Sequence, residues 1–253
     1  MAHIITLANQ KGGVGKTTTS INLGAGLAQA GQRVLLVDID PQGNATSGLG
    51  VDKSALHSST YDVLLGKSEI QKSVVATDNF DLLPGTIELS EVEIQLVNVE
   101  NREFRLKEAL AKIDDQYDFI LIDNPPSLGL LTVNSFTAAN SVLIPVQTEF
   151  YALEGLGQLI NTVELVRQQF NPELEIAGIL LTMYDGRTNL AKQVSQEVRD
   201  YFGDRVYKTV VPRTVRLSEA PSYGQSIIDF DPRSIGSRVY EELAQEVLKQ
   251  YGQ

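Results

Sequence analysis

The apolar content of the short strand-like segments constrains the fold of this chain more than any other feature. Two of these segments, "VLLV" at residues 34–37 and "FILI" at residues 119–122, contain no polar residue. A strand with one face in water alternates apolar and polar residues, whereas a strand buried on both faces is apolar throughout. Strands of the second kind occur mainly in parallel sheets that are covered by helices on both sides. The sequence therefore predicts an α/β protein with a mostly parallel sheet.

Hydrophobic periodicity predicts seven strands and five helices, largely in alternation along the chain. The predicted strands are His3–Ala8, Arg33–Val37, Phe80–Leu83, Asp118–Ile122, Ser141–Val146, Ile176–Leu181 and Val206–Val211. The predicted helices are Thr17–Ala30, Glu88–Ile113, Leu153–Phe170, Leu190–Phe202 and Ile235–Tyr251. No internal repeat, low-complexity tract or proline-rich linker interrupts this pattern. We therefore expect residues 1–253 to form a single, doubly wound domain with helices on both faces of the sheet.

Composition excludes several classes of site. The 253 residues contain no cysteine, which rules out disulfides, thiolate zinc sites, iron–sulfur clusters and cysteine nucleophiles. The two histidines, His3 and His57, share no ligand-like spacing, so we do not expect a histidine metal site. Residues 124–148 are uncharged, but they contain three prolines and several amides and hydroxyls that lipid could not accommodate, so a membrane span is not expected.

The amino terminus carries no targeting signal. Met-Ala-His leads directly into the first apolar segment, without the basic region and apolar stretch of a secretory signal. The sequence therefore predicts a cytoplasmic protein.

A glycine-rich loop lies between the first predicted strand and the first predicted helix. Small residues allow successive backbone N–H groups to point at phosphate oxygens, and the helix that follows favours an anion at its amino terminus. In such a loop Lys16 reaches the β- and γ-phosphates and the Thr17 hydroxyl binds Mg²⁺. The sequence thus predicts a P-loop nucleotide site, with ATP or ADP and Mg²⁺ as ligands. The predicted nucleotide-binding residues of the loop are Lys11, Gly12, Gly13, Val14, Gly15, Lys16, Thr17 and Thr18.

The loop departs from the standard pattern at two positions. Gln10 stands where the pattern has glycine, and an additional lysine, Lys11, follows it. This form, "KGGVGKT", resembles the deviant Walker A motif of the ParA/MinD ATPases. Four further segments, "LLVDIDPQGNATSGLG", "ILIDNPPSLGLLT", "VQTEFYALEGL" and "PRTVRLSEAPSYG", resemble the ParA/Soj subfamily. The resemblance covers the whole chain.

The resemblance implies a function in DNA segregation. Members of the subfamily hydrolyse ATP to ADP and phosphate in the presence of Mg²⁺, and they form an ATP-dependent homodimer. The dimer binds double-stranded DNA without sequence preference and segregates a chromosome or plasmid together with a ParB-like centromere-binding partner. By this resemblance we expect a nucleoid-associated protein. Because the chain starts almost at its first strand, we expect no separate domain for operator recognition.

Three aspartates follow neighbouring predicted strands. Since parallel strands bring their carboxyl ends to the same edge of the sheet, Asp38, Asp40 and Asp123 can all face the phosphates. The resemblance implies that Asp123 holds a Mg²⁺-bound water, that Asp40 positions or activates the attacking water, and that Asp38 lies near the metal or its water. A helix-cap or turn role is the alternative for each, since Asp-Pro at 40–41 is also a turn signal.

The remaining predicted site residues also come from the resemblance. Lys11 is expected to reach across the dimer interface to the partner's nucleotide, where its charge would act on the phosphates as an arginine finger does. Lys11, Lys16 and Asp40 are thus the predicted catalytic residues. Pro212 and Thr214 are the candidates for adenine recognition, with threonine standing where the subfamily usually has asparagine.

A local excess of basic residues offsets the acidic character of the chain. The net charge is −11, but residues 187–216 contain seven basic and three acidic side chains and so carry +4 within a chain whose remainder carries −15. An acidic protein can present a basic face to DNA, because attraction depends on the local field. Arg187 and Arg216 match subfamily positions implicated in DNA binding. The alternative is that they are ordinary surface charges.

Two other functions remain open. A MinD-like ATPase that cycles on membranes would need a basic, amphipathic carboxyl-terminal helix, whereas residues 239–253 contain three glutamates and one lysine. A metabolic P-loop enzyme of the same fold would turn over without DNA. The sequence does not distinguish a chromosomal role from a plasmid role.

Overall fold

An eight-stranded sheet forms the centre of the protein in the computed structural model, which describes residues 1–150 and 152–252. The strands are β1 (His3–Leu7), β2 (Val34–Asp38), β3 (Val75–Ala76), β4 (Asp81–Leu83), β5 (Phe119–Asp123), β6 (Ser141–Gln147), β7 (Glu175–Tyr184) and β8 (Val206–Pro212). Their order across the sheet is β3-β4-β2-β5-β1-β6-β7-β8. Every pairing is parallel except that of β3 with β4. The predicted mostly parallel sheet is confirmed.

Helices cover both faces of this sheet. The α-helices are α1 (Lys16–Gln29), α2 (Asn44–Gly48), α3 (Thr60–Leu64), α4 (Ile70–Ser73), α5 (Val92–Gln95), α6 (Arg105–Leu110), α7 (Leu130–Ala138), α8 (Ala152–Gln169), α9 (Asn189–Phe202), α10 (Arg216–Glu219), α11 (Ile227–Phe230) and α12 (Ile235–Gln250). Short 3-10 turns lie at Lys53–Ala55, Ile87–Glu91, Arg102–Phe104, Gly203–Arg205 and Ala220–Tyr223. None of the helices in the described part of the chain is long and apolar enough to cross a membrane.

The central strands are buried on both faces, as their composition predicts. In β2, Leu36 belongs to the core cluster that α1 and α12 cover. Its neighbours Leu35 and Val37 belong to a different cluster, on the opposite face of the sheet. In β5, Leu121 and Ile120 divide between the same two clusters. All the described strands join one sheet, and the single domain stays a prediction.

The predicted helix Glu88–Ile113 is wrong. The α-helices α5 and α6 and two 3-10 turns replace it, and Asn101, with a φ of 55°, separates the first α-helix and turn from the second. Asparagine tolerates this left-handed conformation better than most residues, because its short side chain bonds to the local backbone. Ile94 and Val97, which complete the apolar pattern of the predicted helix, are exposed. An apolar repeat stabilises a long helix only where the core can accept its apolar face.

The shortest elements were not predicted. Strand β3 has two residues and lies at the edge of the sheet, and α2, α3, α4, α10 and α11 have four or five residues each. Segments of this length are shorter than the window over which hydrophobic periodicity becomes visible. The uncharged segment 124–148 contains α7 and β6.

Candidate functional site

The glycine-rich loop connects β1 to α1 near the middle of the sheet. β1 lies between β5 and β6, where the strand order changes direction, which is the position where open α/β sheets bind ligands. Gly13 and Gly15 have φ values of 75° and 88°, a conformation that glycine adopts at no steric cost. Across residues 1–150 and 152–252, no hydrogen-bond acceptor is present for the amide N–H groups of these two glycines. The loop therefore offers backbone donors of the kind that bind phosphate oxygens.

Two side chains, those of Asn9 and Thr182, connect the loop to the neighbouring strands β6 and β7. The Asn9 amide donates to the Pro145 carbonyl at 2.7 Å and accepts a bond from the Lys11 N–H at 3.0 Å. The Thr182 hydroxyl, at the end of β7, donates to the Val14 carbonyl at 2.8 Å. Sequence reasoning did not single out Asn9 or Thr182 for this role, because these contacts join distant parts of the chain. These bonds fix the loop to β6 and β7.

Lys16 is the first residue of α1, and only 7% of its surface is exposed. Burial lowers the pKa of its ammonium group, while the negative charges of Asp123 and Asp40 act in the opposite direction. The lysine therefore lies with both carboxylates within electrostatic range, as expected for a cation that binds phosphates behind the loop.

Asp123, at the end of β5, is bound to two hydroxyl groups of α1. One carboxylate oxygen accepts a bond from Thr17 at 2.7 Å and the other accepts from Ser20 at 2.9 Å. The carboxylate is fully buried, and burial, followed by the nearby negative charge of Asp38, raises its pKa. The structure thus brings together the predicted metal residues Thr17 and Asp123. It adds Ser20, which the motif did not reveal.

Asp38 lies opposite Asp123 in the pairing of β2 with β5. Its carboxylate accepts bonds from the Thr46 N–H at 2.9 Å, the Thr46 hydroxyl at 2.7 Å and the Asp40 N–H at 3.2 Å. Burial raises the pKa of Asp38, and the hydrogen bonds from Thr46 oppose that shift. A β-carbon added at Gly85 would lie 2.8 Å from this carboxylate, so a larger residue there would displace it. Asp38 fixes the loop after β2, and its role near the metal stays a prediction.

Asp40 is buried just beyond the end of β2. One of its carboxylate oxygens accepts a bond from the Gln42 N–H at 2.9 Å, and its carbonyl accepts one from the Gly43 N–H at 2.8 Å. The turn role that Asp-Pro signals is therefore realised. Because Asp40 also lies within electrostatic range of Lys16, its predicted catalytic role stays compatible with this geometry.

The residues present suit Mg²⁺ that arrives with a nucleotide. The described part of the chain has no group of three or more His, Cys, Asp or Glu side chains that could hold a metal alone. Mg²⁺ is commonly bound through one or two protein oxygens together with substrate phosphates and waters. The Thr17 hydroxyl and the Asp123 carboxylate, 2.7 Å apart, could supply those protein oxygens.

The Lys11 side chain is paired with a residue outside the loop. Its ammonium group forms an ion pair with Glu149 at 2.8 Å, beyond the end of β6, and both side chains are nearly half exposed. Glu149 also accepts a bond from the Gln147 amide at 2.5 Å. Sequence reasoning missed Glu149, because 138 residues separate it from Lys11. The lysine is thus held within its own chain.

The two candidates for adenine recognition lie at and after the end of β8. Pro212 ends this strand, and Thr214 follows it two residues later, half-buried. Three strand spacings, about 14 Å, separate β8 from β1. A cavity of about 300 Å³ also adjoins the loop helix; its lining residues are Thr17, Thr18, Ile21, Asn22, Asn44, Ser47, Gly48, Pro221 and Ser222. A larger cavity, of about 840 Å³, lies between β8 and α12, and no predicted site residue lines it.

The basic segment does not form one continuous patch. Arg187, Arg213 and Arg216 lie beyond the carboxyl ends of β7 and β8, whereas Arg205 and Lys208 lie at the start of β8. Four residues lie between Lys208 and Arg213, which an extended chain places about 16 Å apart. The summed charge of residues 187–216 therefore overstates the local field at either end.

Comparison with known proteins places the chain in a family. A family described as AAA domain matches residues 2–176. The sporulation initiation inhibitor protein Soj of Bacillus subtilis is 59% identical over 249 residues, covering 98% of each chain. The chromosome-partitioning ATPase Soj of Treponema pallidum is 50% identical over 255 residues, covering all of both chains. The chain belongs to the Soj/ParA family of chromosome-partitioning ATPases. This confirms the predicted family and enzyme class.

A solved structure supports the same assignment of fold. The cobyrinic acid a,c-diamide synthase of Mycobacterium smegmatis, with bound ADP and magnesium, is 41% identical to this Soj/ParA family member. The two superpose with a TM-score of 0.89, over 100% of this chain and 96% of the other. The predicted P-loop NTPase fold is confirmed.

Proposed function

We propose that this Soj/ParA family member is an ATP-driven switch for DNA segregation. In this proposal it binds ATP and Mg²⁺, dimerises, binds DNA without sequence preference and is reset by hydrolysis with the help of a ParB-like partner. The observation that carries the proposal is the group formed by buried Lys16, buried Asp123 and half-buried Thr17 next to the glycine-rich loop. Its most direct test measures oligomeric state and DNA affinity with ATP, with ADP and without nucleotide. Binding of DNA in all three states alike would contradict the switch.

Different groups of the chain have different roles in phosphoryl transfer. The loop amides and Lys16 bind and orient the β- and γ-phosphates. When bound, Mg²⁺ supplies positive charge that offsets the charge developing on these phosphates. The Asp40 carboxylate, buried beside Lys16, orients the attacking water and accepts its proton.

The geometry of Lys11 supports a role that depends on the dimer. In the single chain its ammonium group is paired with Glu149, which partly offsets its charge. Dimerisation would exchange this exposed pair for a desolvated contact with the partner's nucleotide. Exposed ion pairs contribute little to stability, so the exchange opposes dimerisation only weakly.

Replacing Lys11 with alanine is expected to preserve ATP binding and abolish the ATP-dependent dimer. A charge that acts across the interface matters only when the partner is present. Analytical ultracentrifugation with ATP and Mg²⁺, together with a nucleotide titration of the same samples, measures both properties. The matched control is Lys72→Ala, which removes a lysine from an exposed ion pair of the same 2.8 Å length with Glu69. If the Lys11 variant dimerised like the control, the role across the interface would be wrong.

Reversing the charge of Arg187 or Arg216 is expected to weaken DNA binding about tenfold or more while ATP-driven dimerisation persists. Each reversal replaces an attraction to phosphate by a repulsion, and binding that depends on released counterions falls steeply with salt. Gel shifts of Arg187→Glu, Arg216→Glu and the double variant at several salt concentrations provide the measurement. Arg167→Glu on α8 is the matched control, since Arg167 is also exposed and is paired with Glu164 three residues away, as Arg216 is with Glu219. A double variant that binds DNA like Arg167→Glu would contradict the assignment.

The two alternatives are less well supported. The apolar face of α12 packs against α1 through Tyr240, Leu243 and Val247, so this helix has no apolar face left for a membrane. The second alternative is a metabolic synthase, as the Mycobacterium smegmatis protein is named. Such an enzyme would hydrolyse ATP in response to a small substrate, whereas a partitioning ATPase responds to DNA and its partner protein. ATPase assays with and without DNA distinguish the two.

A further inference from the structure

Each of the two candidate DNA-binding arginines is engaged by carboxylates of its own chain. The Arg187 guanidinium forms two parallel bonds to Asp185, with Nε donating to Oδ1 at 2.8 Å and Nη2 donating to Oδ2 at 2.7 Å. The arginine side chain is 90% exposed, so no packing holds it in this position. The bond from Arg187 lowers the pKa of Asp185 to about 2. The Asp185 carboxylate therefore stays charged at neutral pH.

Arg216 contacts two different carboxylates, each through a single pair of atoms. Its Nη1 atom donates to Glu219 at 3.0 Å, and its Nε atom lies 3.3 Å from an Asp231 oxygen. The guanidinium also lies 5.8 Å from the centre of the Phe230 ring, the residue before Asp231. Asp231 directly follows α11, whereas Arg216 is the first residue of α10. The contact is therefore a product of the fold.

A carboxylate and a DNA phosphate offer an arginine the same bidentate geometry. Two parallel N–H···O bonds join a guanidinium to either group, and both groups are anionic. Arg187 cannot donate the same pair of N–H groups to Asp185 and to DNA at once. A DNA phosphate must therefore either displace the carboxylate or bind less favourably beside it.

We propose that Asp185 and Asp231 are resident competitors of the DNA phosphates that lower the affinity of each single chain for DNA. This inference rests on the proposed DNA-binding function and adds its regulation. A lower DNA affinity at each single site makes DNA binding depend more strongly on the dimer, since two weak sites held together bind far more tightly than either alone. The acidic residues thereby sharpen the response of DNA binding to ATP.

Asp185 also has a local structural role that the test must preserve. Its Oδ1 atom accepts a bond from the Arg187 N–H at 3.1 Å, and its carbonyl accepts the Thr188 N–H at 3.0 Å. Asparagine supports the same kind of turn through its side-chain oxygen. Asp185→Asn therefore keeps the turn and removes the charge.

The experiment measures DNA affinity of the full chain by fluorescence anisotropy with a labelled duplex, in ATP and Mg²⁺. Asp185→Asn and Asp231→Asn are each expected to raise the affinity by about two- to fivefold, the scale of a surface ion pair, and to raise binding without nucleotide as well. Glu164→Gln is the matched control, because it removes the same charge from the exposed pair with Arg167 on α8. A double-mutant cycle with Arg187→Ala isolates competition from a general change in charge.

The outcomes separate this inference from the proposed function. A gain from Asp185→Asn that disappears in the Arg187→Ala background supports competition. A gain equal to that of Glu164→Gln, or one that persists without Arg187, overturns it while leaving DNA binding intact. If neither the natural chain nor any neutralised variant binds DNA, the proposed DNA function fails and this inference fails with it.

Discussion

Lys16→Ala is expected to weaken ATP binding by roughly 100-fold or more, because a charge-assisted contact in a desolvated site contributes strongly to affinity. Lys16 is buried, and Asp123 and Asp40 lie within range of its charge. Without the lysine these carboxylates would repel the phosphates. Isothermal titration with ATP and Mg²⁺ measures the loss, and sedimentation is expected to show no ATP-dependent dimer.

The buried position of Lys16 requires a control for folding. Circular dichroism and thermal unfolding of the variant show whether the sheet and helices persist. Lys16→Arg provides a second test, since it retains the charge but replaces the ammonium group with a planar guanidinium that does not fit the same position. A folded alanine variant that binds ATP normally would show that the loop binds something other than the nucleotide phosphates.

Asp40→Ala is expected to bind ATP and Mg²⁺, to dimerise, and to hydrolyse ATP about 100- to 10,000-fold more slowly, the range that a positioned general base contributes. Removing a carboxylate that acts on the attacking water spares the bound ground state and raises the barrier. Phosphate release under single-turnover conditions measures the chemical step. Size-exclusion chromatography with ATP measures the accumulated dimer.

A second variant is needed because Asp40→Ala also removes the bond that the Asp40 carboxylate accepts from the Gln42 N–H. Asp40→Asn retains an oxygen for this turn and removes the base. The asparagine variant is expected to be as slow as the alanine variant if Asp40 acts in catalysis. Full hydrolysis by the asparagine variant would assign Asp40 to the turn alone, and an alanine variant that stays monomeric with ATP would make it a binding residue.

Local patterns predicted the parts of the molecule that depend on short stretches of chain. The run Leu35 to Val37 predicts a strand buried on both faces, and the core on either side of β2 confirms it. The glycines before Lys16 predict the phosphate loop, because the loop conformation depends on residues within it. The helix predicted over residues 88–113 failed because whether an apolar repeat becomes a helix depends on packing, which a local pattern does not contain.

Sequence alone determined the fold class, the position of the phosphate loop and, through the resemblance, the family of this protein. These properties follow from local conformational preference and from the order of buried strands. Only the tertiary structure decided which groups face each other: Lys11 with Glu149, Asp123 with Ser20, and Arg216 with Asp231. The partners in each pair lie from 15 to 138 residues apart along the chain, and no local pattern specifies such contacts. They arise because folding brings these distant groups close together. Opposite charges and hydrogen bonds then determine which groups pair.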